Sequence, residues 1–476
     1  MLSCPSFWVN IPCHCRLQFD EFARRSQSLP ITLYLSAKSS RLAQPIFSQT
    51  VQRIQHLYVP DSLPHHYGLS DFPILESLVI ELPEEDVDPW AQDVVERLKG
   101  LAVRHATPRT IANSLLPSLT HLYLEFSGFT NSETSFADVV RLLSQAPCLE
   151  FLRLQRLTRY DALAPPAETN IGPASLPNLR LLVFDECDYG AISILPYLDA
   201  GSTSLIRLHR MSSRPFVSIM GHSIKGNATK IYLEMSFGAF VLCMEGPSSG
   251  FWMAGWDSED LPIASLNGSL SSTGPFTNVT SFILECHSGI FGNPHIELLR
   301  YMPKLTYFDF RIASCTAEDA EEGGDEEVVN CVEELLRALA VITAPDLTLC
   351  PELESLTITS FIMGTGEGVN LAYAMYSKEL PAMLTSRDDV TPLKRVRIYA
   401  TARELMTDDR WEPPYLARDF NPPIPESMDV EVYWTTYVSP PSFEMSGIWD
   451  IDGENKYWEM DDEYEISRSS PWCPVQ

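Results

Sequence analysis

One short phrase recurs along the chain. It is an apolar residue, two variable ones, an apolar residue, any residue and a last apolar one, often behind a proline. It reads Leu75, Leu78, Ile80 after Pro73, and Leu119, Leu122, Leu124 after Pro117. Further copies are Leu149, Leu152, Leu154; Leu179, Leu182, Phe184; Val279, Phe282, Leu284; Leu305, Phe308, Phe310; Leu353, Leu356, Ile358; and Leu393, Val396, Ile398. Weaker copies sit at Ile54, Leu57, Val59 and near Ile231 and Leu233. The final two apolar positions alternate, which puts both on one face of a short strand. The position three residues earlier leads the chain into that strand and fills the layer beneath it. A single unit cannot bury its own apolar face, whereas stacked units share one continuous core.

Leu119, Leu149 and Leu179 follow one another at 30 residues, while Leu305 and Leu353 are 48 apart. Regular leucine-rich repeats run about 20–29 residues, so the longer period predicts a full helix in each connection. Phe136, Val139, Val140 and Leu143 make one apolar helical stripe, with Ser135 and Asp138 resembling a capping box. Val328, Val332, Leu335, Leu336 and Leu339 make another, with Asp325, Glu326 and Glu327 at its positive end. A third helix is expected from Asp88-Pro89, carrying Trp90, Val94, Leu98 and Leu101. The fold class that follows is α/β: an irregular leucine-rich-repeat solenoid (a horseshoe) of parallel short strands with outer helices.

Three segments are expected. Residues 1–49 lack the phrase and form an N-terminal cap. Residues 50–410 carry the repeats, with a hairpin inserted near 236–277. There Phe237–Met244 and Phe251–Ala254 read as strands around Gly246-Pro247-Ser248-Ser249-Gly250. Residues 411–476 form an acidic, Pro-rich, partly disordered tail.

Charge narrows the possible partners. The 476 residues carry a formal net charge of -29, which argues against nucleic acid, because phosphate affinity comes from clustered Lys and Arg. No apolar run is long enough to span a membrane, and Met1-Leu2-Ser3-Cys4-Pro5 lacks the marks of a signal peptide. The expectation is cytoplasm or nucleus, with Asn227, Asn267 and Asn278 unused as glycosylation sites. The 11 cysteines include Cys187, Cys286 and Cys350 beside apolar residues, as buried free thiols would be.

Catalytic and metal signals are weak. Gly246-x-Ser248-x-Gly250 matches the nucleophile elbow, which needs a following helix, but Phe251-Trp252-Met253 is a poor helix start, so a plain turn is expected. Gly364-x-Gly366-x-Gly368 sits between a strand and a helix but misses the third glycine spacing of a dinucleotide loop. Cys4, Cys13, His14 and Cys15 offer ligand types without a matching second pair, and His65-His66 is remote in sequence. No catalytic, cofactor-binding or metal residue is therefore assigned, and no cofactor is expected. The acidic runs Glu318–Glu327 and Asp450–Glu465 read as solvated, although Trp449, Tyr457, Trp458 and Tyr464 give the second some docking character. In a solenoid, Ser77, His121, Tyr123, Arg153 and Tyr307 would line an exposed concave face.

Several phrases resemble the fungal F-box/leucine-rich-repeat proteins, especially the large families of mushroom-forming fungi. Pro5-Ser6-Phe7-Trp8-Val9-Asn10-Ile11 resembles their Pro-Ser-Leu-Trp-x-x-Ile. Phe22-Ala23-Arg24-Arg25-Ser26 with Leu29-Pro30-Ile31-Thr32-Leu33 resembles the segment that follows it. Leu353–Ile358 and Leu393–Ile398 resemble the closing repeats. The resemblance, in style over most of residues 5–435, implies a protein that brings a protein substrate to a cullin-type ubiquitin ligase through a Skp-type adaptor. The F-box itself would lie ahead of Pro5, where this sequence has no room for its roughly forty residues. The adaptor and cullin are therefore expected as partners only if a box is encoded upstream. A free-standing leucine-rich-repeat scaffold is the alternative.

Overall fold

The structure, a computed structural model, describes residues 5–13, 16–35, 46–59, 68–81, 97–106, 108, 111, 113–126, 136–157, 172–187, 189–192, 194–201, 203–212, 227–236, 239–256, 276–287, 294–313, 324–340, 349–362, 366–388, 393–402, 429–435, 447–449, 451–454 and 456–457. Two compact units emerge. The first is Met1–Ser212 with Asp450–Asp462, and the second is Ser213–Trp449 with Glu463–Gln476.

The first unit is built on strands β1 (Asn10–Cys13), β2 (Ile31–Leu35), β3 (Ile54–Val59), β4 (Ser77–Glu81), β5 (Gly100–Arg104), β6 (His121–Glu125), β7 (Phe151–Gln155), β8 (Ala174–Leu176), β9 (Leu181–Asp185), β10 (Leu198–Ala200) and β11 (Leu205–Ser212). Apart from β8 and β10, which pair with each other, each strand runs parallel to the next. The repeat phrase sets this register. Leu57, Leu78, Leu101, Leu122, Leu152 and Leu182 stand opposite one another across successive strands. All are buried, as are Leu75, Leu119, Leu149 and Leu179 in the layer beneath. Each such leucine contributes about 1.5–3 kcal/mol by leaving water.

The expected helix from Asp88 to Leu101 is corrected here. Leu101 lies in β5, and Leu98-x-x-Leu101-x-Val103 is another copy of the phrase, with all three side chains buried. Register with β4 and β6 prevails over helical periodicity because it places Leu101 in the shared spine. Asp88, Pro89, Trp90 and Val94 lie outside the described residues.

The second unit contains β12 (Lys230–Ser236), β13 (Ala239–Glu245), β14 (Gly250–Trp256), β15 (Ser281–His287), β16 (Tyr307–Ala313), β17 (Ser355–Ile362), β18 (Arg395–Ala402) and β19 (Asp429–Thr435). Strands β12, β15, β16, β17, β18 and β19 are parallel neighbours in that order. The spine here is Ile231, Phe282, Phe308, Leu356 and Val396, again opposed and buried. The expected hairpin is β13–β14, antiparallel, with β13 against β12. Strand β19 falls inside the segment read as an acidic tail.

Among the described residues, helices are fewer than the period predicts. They are α1 (Arg16–Arg25) and α2 (Phe136–Leu143) in the first unit, and α3 (Pro294–Leu299), α4 (Gly324–Ala340) and α5 (Gly366–Asp388) in the second, beside shorter turns. Both stripes read from α2 and α4 are where expected, with Val139, Val140, Leu143, Val328, Val332, Leu335, Leu336 and Leu339 buried. Between β5 and β6, by contrast, the described link is a 3-10 turn at Asn113–Ser118, because too few residues separate Leu101 from Leu122 for a long helix. The chain is thus mixed α/β, with mostly parallel strands and few helices.

Two arginines tie neighbouring connections together. Arg53 reaches back to the end of α1, donating to Ser26 Oγ at 2.7 Å and to the Ala23 and Leu29 carbonyls. Arg387, wholly buried in α5, donates to the Leu339, Leu349 and Cys350 carbonyls at 3.3, 3.0 and 2.9 Å. Leu339 lies in the last turn of α4, whose carbonyls lack helical partners, while Leu349 and Cys350 precede β17.

Candidate protein-binding faces

Strand alternation gives each sheet a second face, opposite the apolar spine. In the first unit that face carries two rows across the strands. One is His56, Ser77, Gly100, His121, Phe151 and Leu181; the other is Tyr58, Val79, Ala102, Tyr123, Arg153, Val183 and Arg207. The face is rich in aromatic and cationic groups. Phe151 stacks on His121 with ring centres 4.4 Å apart, and Tyr34 stacks on Tyr58 at 4.3 Å. The Arg153 guanidinium lies over the Tyr123 ring and pairs with Asp185 at 2.5 Å. Tyr123 also donates to Gln155 Oε1.

This face is not bare, which corrects the expectation that Ser77 and His121 stand exposed. Both are buried, beneath residues from the far end of the chain. Ile451–Glu454 and Lys456–Tyr457 lie across the strands. The Arg180 guanidinium donates to the Asp452 carbonyl at 3.2 Å, and His121 Nε2–H donates to the Gly453 carbonyl at 2.8 Å. Glu454 pairs with Arg207 at 2.8 Å, with both side chains largely out of solvent. The Tyr58 hydroxyl donates to the Tyr457 carbonyl at 2.7 Å. The Tyr457 ring is buried, edge-on to His121 at 4.8 Å, with Lys456 Nζ over it at 4.8 Å.

Two glycines make the fit possible. A Cβ on Gly100 would lie 2.8 Å from the Tyr457 ring, so only glycine lets that ring approach the sheet. Gly453 has φ +93°, a left-handed conformation that other residues avoid. A small crevice remains beside Glu454, lined by Leu122, Phe151, Arg153, Leu181 and Val183. Burial pushes the His121 and His56 pKa values below the ordinary histidine range; for His121 the Gly453 carbonyl opposes the shift. Both rings are neutral near pH 7, so His121 donates its one proton to the Gly453 carbonyl while Nδ1 faces Thr120 Oγ1 at 2.9 Å.

The second unit's equivalent face holds a buried ionic cluster. Arg311 pairs with Asp309 at 2.8 Å and with Glu285 at 3.5 Å. The Tyr232 hydroxyl donates to Glu234 at 2.7 Å and to Glu285 at 3.4 Å. Burial raises the pKa of Glu234 and of Asp309, and the Arg311 charge opposes the rise at both. Burial opposes the Arg311 charge, but Asp309 and Glu285 outweigh it and hold its pKa above the ordinary value. Tyr307, a predicted face residue, is half-buried at the margin of this cluster.

The candidates for chemistry resolve plainly. Ser248 lies in the turn between β13 and β14, where Gly246 N–H donates to the Ser249 carbonyl and strand follows instead of a helix. Gly366 and Gly368 open α5, and Gly364 lies outside the described residues. So do Cys4, His14, Cys15, His65, His66 and Glu318 to Gly323; Cys13 ends β1. Among the described residues no group of three or more His, Cys, Asp or Glu could hold a metal, and no helix is long and apolar enough to cross a membrane. Cys187, Cys286 and Cys350 are buried thiols outside any disulfide, and burial pushes Cys350 up to about 12.

Compared with known proteins, the chain matches no protein-family model and no curated protein.

Proposed function

We propose that this chain is a non-catalytic protein-interaction module, an irregular leucine-rich-repeat solenoid that serves as the substrate-recognition part of an F-box-type ubiquitin-ligase receptor. The observation that supports binding most directly is the first unit's second face. Its aromatic and cationic rows already accept a peptide segment through main-chain carbonyls, one glutamate and one buried tyrosine. Interfaces that bind proteins are enriched in such tyrosines and arginines. The repeat phrase, with its opposed spine in both units, supports the solenoid reading. The ligase link rests on the resemblance of Pro5–Ile11 and Phe22–Leu33 alone.

Affinity purification of the full chain from its native cells tests the proposal. A Skp-type adaptor and a cullin should co-purify with it where an F-box is encoded upstream, together with proteins lost on Arg153→Glu. Partners that depend on Arg153 without adaptor or cullin would replace the ligase role with that of a free-standing scaffold. Absence of any partner sensitive to the face would overturn the binding role itself.

A further inference from the structure

The segment on the first unit's face shows what kind of ligand that face takes. We propose that the face is a groove for an acidic-aromatic peptide turn of the pattern Asp-Gly-Glu-x-x-Tyr, that Ile451–Tyr457, whose Glu454 and Lys456 amides donate to the Ile451 and Gly453 carbonyls, is its internal occupant, and that a partner protein presenting this pattern displaces it. The inference rests on the protein-binding reading above and adds the chemistry of the ligand.

Each element of the pattern meets a matching group. The glutamate position meets Arg207 on β11 at 2.8 Å. The glycine position needs φ +93° and offers its carbonyl to His121 on β6. The tyrosine position lies over Gly100 on β5, edge-on to His121, with its carbonyl held by Tyr58 on β3. Arg180, whose guanidinium also lies over the Phe151 ring, holds the carbonyl of the aspartate position. The turned peptide thus meets β3, β5, β6 and β11, and Arg180 just ahead of β9, by side chains and main chain together.

Two features mark a ligand and not a piece of core. The contacts are main-chain carbonyls, a charge pair and one ring, the groups a peptide from another chain also carries. Asp452, Gly453 and Lys456 remain exposed, so the segment lies on the face and is not enclosed by it. An internal occupant acts at high effective concentration and weakens apparent affinity for a competitor by the fraction of time it holds the face.

The test uses the full chain and a fluorescent peptide with the sequence of residues 451–457. The wild-type chain should bind it weakly. The Glu454→Ala, Tyr457→Ala double variant, whose own occupant is crippled, should bind it roughly ten-fold more tightly or better. A control peptide carrying the same two alanines should not bind, and Arg207→Glu added to the double variant should abolish binding. Circular dichroism checks that each variant is folded. Should the double variant fail that check, hydrogen exchange on the wild-type chain decides: excess peptide should accelerate exchange of the Ile451–Tyr457 amides. Equal weak binding by both chains, or no change in exchange, would overturn the proposal and leave the segment a fixed structural strap. Peptide displacement without cellular partners would sustain this inference while the ligase reading falls. Partners that depend on Arg153 without peptide displacement would do the reverse.

Discussion

Gly453 concentrates the energetics of the docked segment in one backbone angle. At φ +93° a side chain costs about 1–2 kcal/mol, while the nearest atoms to an added Cβ, on the Phe151 ring, are a comfortable 3.9 Å away. Gly453→Ala should therefore weaken docking through conformation and not through collision, read as roughly ten-fold faster amide exchange in Ile451–Tyr457 with the strands unaffected. His121 and His56 add a dependence on pH. Their surroundings are Ser77, Thr120, Gly453 and Tyr457, with Glu76, Glu150, Arg180 and Lys456 acting through space. Both histidines have lowered pKa values when docked, so the undocked state takes up protons more readily. Docking is then complete above the ordinary histidine value of 6.5 and weakens as pH falls below it. Taking the pH from about 7.5 to about 5.5 should speed exchange of the segment, and His121→Gln should flatten that response. In the second unit, Arg311→Met would leave Asp309 and Glu285 buried without their cation. The expected cost is ~3–5 kcal/mol in denaturant unfolding, larger than for most surface arginines.

At the scale of elements, the repeat phrase does most of the structural selection. Leu101→Ala and Leu122→Ala remove adjacent members of one buried spine, and each should cost ~2–5 kcal/mol in urea denaturation. Similar values for the two would agree with Leu101 as a spine residue, whereas a cost under about 1 kcal/mol for Leu101 would contradict its place in β5. The strands that were legible carry a full phrase. Those that were not each break one cue. In β5 the spacing of Leu98 and Leu101 also continues the helical stripe from Trp90 and Val94, and only pairing with neighbours separates the two readings. In β11 the first apolar position is Thr203, so Ile206 and Leu208 read as isolated. β19 lies among prolines and acidic residues whose composition resembles a tail. Strand exits show a further regularity without a sequence mark. His105, Arg156 and Glu186 follow β5, β7 and β9 at φ 56°, 55° and 51°, a left-handed step made by three unlike residues because backbone hydrogen bonds to the next strand hold it.

Over the whole molecule, a net charge of -29 means that like charges repel within the folded chain. Raising salt from about 0.01 to about 0.3 M shortens the screening length several-fold, and the melting temperature should rise with it. A fall would mean that ion pairs such as Arg153–Asp185 outweigh the general repulsion. What the amino-acid order settles alone is local and periodic: the phrase, its strands, the spines of both units, the hairpin and the helices α2 and α4. These follow from apolar spacing, which acts over a few residues and repeats. What the tertiary structure decides is the second face. Tyr58 meets Tyr457 across 399 positions, His121 meets Gly453 across 332, and Arg207 meets Glu454 across 247. No periodicity links such residues. Their contact depends on shape, on the bare backbone at Gly100 and on charges that find each other only once the sheet has formed.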